Sequence, residues 1–214
     1  MSENLFESGQ DVTKKSKIKQ FYERNKIKIF SVLFSFIVLL ISLSIYLEVK
    51  KNKRTALSEN YINARVYIAI GEKTQATKLL KEIIFENDST YSTLSLFLIL
   101  NENLLEDQKE LSNLFNHILE NCKFEKEISD LIIFKKALLE STFVSENKLL
   151  KSLKPLTNSE SLWKHHALLL LGDYYVSKKE NIKAREFYSE ILKIKNLHNE
   201  FYNRTQIRLE LTNE

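Results

Sequence analysis

The chain has 214 residues, with 3 Gly, 1 Pro and 1 Cys, and a formal net charge of +4. A single cysteine excludes a disulfide framework and a cysteine-based zinc site, and so few breakers favour long helices joined by short polar links. The positive charge sits at residues 1–28 and 48–54, each net +3, which leaves residues 55–214 near −2 and argues against nucleic-acid binding.

Residues 1–28 read as a basic tail carrying Lys14, Lys15, Lys17, Lys19, Arg24, Lys26 and Lys28. Then come 19 uncharged positions, Ile29 to Leu47, of which fourteen are Leu, Ile, Val or Phe. At about −0.3 to −0.6 kcal/mol each near a bilayer centre, those side chains favour insertion by several kcal/mol. As a helix the run spans about 28 Å, close to the hydrocarbon thickness of a membrane. Tyr46 occupies the place of an interfacial aromatic. The end of the span, Ile45 to Val49, offers no small-residue cleavage site, which favours an uncleaved anchor over a signal peptide. More bases precede the span closely than follow it, so the expected orientation is N-terminus in the cytoplasm and the main domain outside it. Residues 48–57 form a juxtamembrane linker or helix, with Lys50, Lys51, Lys53 and Arg54 suited to anionic lipid.

From residue 55 the apolar pattern has helical period in stretches of about 12 to 17 residues, with no run of strict alternation, and residues 58–214 are expected to form one repeat domain. The clearest unit is Leu168, Leu171, Gly172 and Tyr175 on one helix face, then Ala184, Tyr188 and Ile191 on a second, after a turn near Lys179 to Asn181. This spacing resembles the tetratricopeptide repeat. Small residues at Gly172 and Ala184 let two antiparallel helices approach closely, and the larger ones fill the space above and below. A weaker copy keeps Ala64, Tyr67, Ala76, Leu80 and Ile83 in the same spacing. Two others replace the small residues: Ile99 with Leu111, and Ala137 with Leu149, where Pro155 should shorten or distort the second helix. Asn199 to Leu211 reads as a terminal capping helix. The expected fold is all-α: a single N-terminal transmembrane helix, then a tetratricopeptide-like α-solenoid of about four helix pairs, then the capping helix.

Catalytic and metal chemistry find little support. His117, His165, His166 and His198 make no metal-ligand spacing, and Gly9, Gly71 and Gly172 are too scattered for a phosphate loop. No Gly-x-Ser-x-Gly elbow occurs. No catalytic residue, metal or cofactor is therefore expected. Asn87-Asp88-Ser89 and Asn203-Arg204-Thr205 match glycosylation acceptors, a frequent chance match. What remains is surface. On the repeat frame the first helices would line a face with Tyr61, Arg65, Leu96, Leu100, Phe134, Leu138, Leu169 and Asp173, unless the next repeat or the capping helix buries them. Open, that face is apolar and aromatic and suits an apolar helix or an unfolded segment.

Three features together resemble one family. Lys19-Gln20-Phe21-Tyr22-Glu23-Arg24-Asn25-Lys26 is similar to a basic-aromatic-aromatic-x-x-Asn segment before the anchor. A single anchor runs into Ser58 to Tyr67, similar to a first repeat helix. Degenerate repeats follow, with Trp163 opening a last pair built on Ala167, Gly172 and Ala184. In that order they resemble the YfgM-like ancillary subunits of the bacterial Sec translocon, and the tail with Phe6-Glu7 looks like alphaproteobacterial members. The resemblance implies an inner-membrane protein with a periplasmic repeat domain. It also implies association with the SecYEG channel and with a membrane-anchored periplasmic prolyl isomerase and chaperone. A scaffold or holdase at the translocon exit is the leading expectation. An assembly factor for another envelope complex, such as outer-membrane protein insertion or division, is the second. An enzyme, with His165, His166 and Asp173 as its polar cluster, is the third.

Overall fold

The computed structural model describes residues 17–212. Lys14, Lys15 and the Phe6–Glu7 pair lie outside the described residues. Among the described residues there are nine helices and no strand: α1 Lys17–Ala69, α2 Lys73–Phe85, α3 Ser89–Asn101, α4 Gln108–Asn121, α5 Lys126–Glu140, α6 Glu146–Thr157, α7 Lys164–Ser177, α8 Asn181–Leu192 and α9 Asn199–Leu211. The residues divide into two units, one ending at Thr55 and one running from Ala56 to the C-terminus.

In the first unit, α1 is long and apolar enough to cross a membrane. Its large side chains from Phe30 through Val49, among them Leu33, Phe36, Leu40 and Ile45, are exposed. A continuous apolar surface of this extent is unfavourable in water and favourable in hydrocarbon. Residues 48–57, expected as linker or helix, are helical throughout.

In the second unit each helix from α2 onward packs on its successor, with second-neighbour contacts of α2 with α4 and of α5 with α7. Two apolar clusters result. One joins Leu57, Ala64, Leu80, Ile84, Leu96, Ile99 and Phe115 to Ile132 of α5. The other joins Ala137 of the same helix to Leu149, Leu153, Leu168, Leu171, Tyr175 and Tyr188. Helix α5 therefore serves both cores. Its buried Glu140 accepts a 2.6 Å hydrogen bond from Ser112 Oγ of α4 and lies 3.4 Å from Lys148 Nζ of α6. Its buried Asp130 accepts a 2.6 Å bond from Ser161 Oγ, whose oxygen in turn accepts from the Trp163 N–H.

The residues expected to pack between paired helices differ in burial. Ala64, Ala76 and Ala184 are fully buried, Leu171, Tyr175 and Tyr188 are nearly so, and Tyr67 is half-buried. A Cβ built on Gly172 would overlap the Tyr188 ring, so α7 and α8 meet only because that side chain is missing. Pro155 lies inside α6, which ends two residues later at Thr157.

The helix ends explain how so few glycines suffice. Gly71 closes α1 at φ +85°, with its N–H on the Ile68 carbonyl and the Glu72 N–H on the Tyr67 carbonyl. These are the paired bonds of a Schellman end, which requires a left-handed residue. Lys179 closes α7 by the same two bonds at φ 62°, and Asn103 closes α3 at φ 48°. Two helix starts, those of α3 and α4, are fixed by aspartates: Asp88 accepts from the Thr90 and Tyr91 N–H groups, and Asp107 from those of Lys109 and Glu110.

Two expectations follow. Gly172→Ala should cost about 1–3 kcal/mol, because the Tyr188 ring must move. A thermal midpoint by circular dichroism equal to wild type would show that α7 and α8 do not depend on the close approach. Lys179→Gly should raise the midpoint, by removing a left-handed conformation that costs a non-glycine residue about 1 kcal/mol; a lower midpoint would contradict that account.

Candidate interaction surface

The eight positions expected on one face are distributed differently. Arg65 and Leu138 are exposed. Tyr61 is half-buried against the first core, its ring 6.3 Å from that of Tyr91, and Leu100 packs on the same core. Leu96 is fully buried, a correction to its expected place on an open face. The reason is a slip of register. Gly71 and Lys179 close their helices seven residues after Ala64 and Gly172, but Asn103 closes α3 only four residues after Ile99. Leu96, not Ile99, therefore stands seven residues before its helix end, in the position that Ala64 and Gly172 hold. The link Leu104–Asp107 makes up the length before α4.

The remaining three lie in the second core region. Leu169 packs half-buried on its side chains. Phe134 of α5 stacks on Trp163 with ring centroids 5.5 Å apart and meets His166 edge-on at 5.7 Å. Asp173 of α7 accepts a 2.7 Å hydrogen bond from the Tyr188 hydroxyl of α8 and forms an ion pair with Arg208 of α9. Burial, and then this hydrogen bond, push the Tyr188 hydroxyl pKa upward, so it remains a donor. The residue read from the sequence as a face residue is thus the latch for the last helix. As a result, the eight do not line one open groove.

A cluster not foreseen from the sequence is completed when α9 docks. Trp163, His165, His166 and Phe201 come together: the Trp163 and His166 rings lie 5.1 Å apart, the two imidazoles 4.1 Å, and His165 meets Phe201 edge-on at 4.7 Å. The signal was present in Trp163, the two imidazoles of α7 and the Phe201 of α9, but the contacts of Phe201 depend on the docking of α9. Beside the cluster is a cavity of about 840 Å³, bordered by Leu162, His165, Ile194, Leu197, Phe201 and Arg204. A smaller recess of about 500 Å³ lies at the latch, between Val176, Asn181 and Leu211. Leu162 and Leu211 are well exposed, so each opening carries one large apolar side chain among polar and charged neighbours.

Chemically, these surfaces offer apolar contact and scattered charge. Among the described residues no group of three or more His, Cys, Asp or Glu is placed to hold a metal ion. Cys122 is buried, and that burial pushes its thiol above the ordinary range, away from the reactive thiolate. No protein-family model, curated protein or solved structure matches the chain.

If the latch holds α9, two replacements should weaken the second unit. Arg208→Met should cost about 0.5–1 kcal/mol, a figure discounted for the partial exposure of the pair. Tyr188→Phe should cost about 1 kcal/mol for the lost hydrogen bond. Urea denaturation of the detergent-solubilised chain reads both; midpoints unchanged in each variant would show the latch to be incidental.

Proposed function

We propose that this protein is a membrane-anchored helical-repeat scaffold without catalytic activity, which assists secreted proteins at the Sec translocon through protein contacts. The observation that carries the reading is the pairing of one apolar helix, exposed along Phe30 to Val49, with an all-helical unit that leaves Leu138, Leu162 and Leu211 exposed. A helix of that surface belongs in a bilayer, and an anchor keeps a weakly binding domain at high local concentration near its partners.

The repeat reading rests on Ala64 with Ala76 and Gly172 with Ala184, small pairs twelve residues apart in neighbouring helices, as in tetratricopeptide arrays. Translocon association rests on the resemblance of residues 19–26, the anchor and the degenerate repeats to YfgM-like subunits. On this reading the protein lies in a bacterial inner membrane, N-terminus in the cytoplasm, with the helical unit in the periplasm. Its partners are the SecYEG channel and a membrane-anchored periplasmic prolyl isomerase and chaperone. Arg65 and Leu138, the exposed members of the expected face, are the contact candidates.

The test combines topology and capture. Protease added to intact spheroplasts should digest the helical unit, and a photo-crosslinker at Leu138 should yield adducts with channel subunits that co-purify in mild detergent. Protection of the unit from protease, or a clean absence of channel subunits with expression verified, would overturn the proposal. Adducts with outer-membrane insertion or division machinery would favour the assembly-factor reading instead.

A further inference from the structure

Helix α9 covers the second core by two attachments of different character. Its C-terminal half is latched by Arg208 to Asp173. Its first turns rest Phe201 against His165 and His166, with ring centroids 4.7 and 5.2 Å away. Both imidazoles are half-buried, and His166 Nδ1 is buried without a hydrogen-bond partner. None of the ion pairs among the described residues involves either ring.

We propose that protonation of the His165–His166 pair undocks α9, making the last helix an acid-released cover over the apolar surface beneath Phe201 and Leu209. Two cations with ring centroids 4.1 Å apart repel, and a charged imidazole against Phe201 loses the hydration it needs. A released α9 returns to water the sides of both rings that Phe201 covers, while His166 keeps its contacts with Phe134 and Trp163.

The surrounding charges do not compensate. On α7, Lys164 pairs with Glu190 of α8 at 3.7 Å. The cavity beside His165 also carries Glu160, Glu200, Lys193, Lys195, Arg204 and His198, which with that pair makes four fixed cations against three carboxylates. On α5, Asp130 is held by Ser161 and Lys126, Lys135 lies over the Phe97 ring, and Lys136 lies near Glu140. From α9, Arg208 is occupied by Asp173.

Burial lowers the pKa of both imidazoles, and for His165 the charge of His166 lowers it further. The undocked state therefore binds more protons. Docking is at full strength above the ordinary imidazole range, near 6.5, and weakens as pH falls from there through the lowered values.

Hydrogen exchange of the full-length chain in detergent, at about pH 7.5 and about pH 5, tests this across the histidine range. After correction for intrinsic exchange, α9 should open about tenfold more relative to α2 for each pH unit by which docking holds one imidazole down. In the double replacement His165→Gln, His166→Gln the ratio should not respond to acid. An unchanged α9-to-α2 ratio in the wild type overturns the proposal, as does an equal rise in α2 or an acid response retained in the double variant. Should that variant not fold, each single replacement must diminish the response, and an undiminished response in both overturns it equally.

Discussion

Helices of twelve to fifteen residues are too short to persist alone in water, so each must bury one face on a neighbour. That requirement organises the second unit, and it makes α5 its central member. Helix α5 gives Ile132 to one core and Ala137 to the other, and it sends two buried carboxylates outward. Glu140 binds α4 and approaches α6, while Asp130 fixes the start of α7 through Ser161. Buried carboxylates with hydroxyl partners demand specific geometry, because an unpaired charge there is costly. They fix where the two cores meet, which apolar contact alone leaves to packing.

The close approach of α7 and α8 shows the same economy at smaller scale. One missing side chain, at Gly172, admits the Tyr188 ring, and that ring carries a hydroxyl to Asp173. Asp173 then receives Arg208. A packing decision on α7 thereby reaches α9 through a single phenol. Phe201 joins the aromatic and imidazole cluster only once that helix is in place.

Much of this is legible in the sequence. Nineteen uncharged residues can hardly be misread, the bounds of the last helix follow from its apolar spacing, and Gly172 with Ala184 announced a close helix pair. The partner face was less legible, for two reasons. A repeat frame assumes constant link length, and the link Leu104–Asp107 breaks that assumption, so Leu96 moved from groove to core. A frame also describes neighbours one repeat apart. It is silent on a terminal helix, which is why Asp173 looked like a face residue and Phe201 drew no reading. The glycine count misled only in part: turns were built, but by Asn87, Asn103, Lys179 and Asn196 in left-handed conformations that composition does not advertise.

The division into two cores also sorts the chain's rare residues. Its sole tryptophan stands beside one apolar cluster and its sole cysteine within the other. Indole emission and thiol accessibility are therefore local gauges of opposite halves. Denaturation followed by either one alone describes half a molecule, and the lag between the two traces measures how firmly α5 makes the halves melt as one.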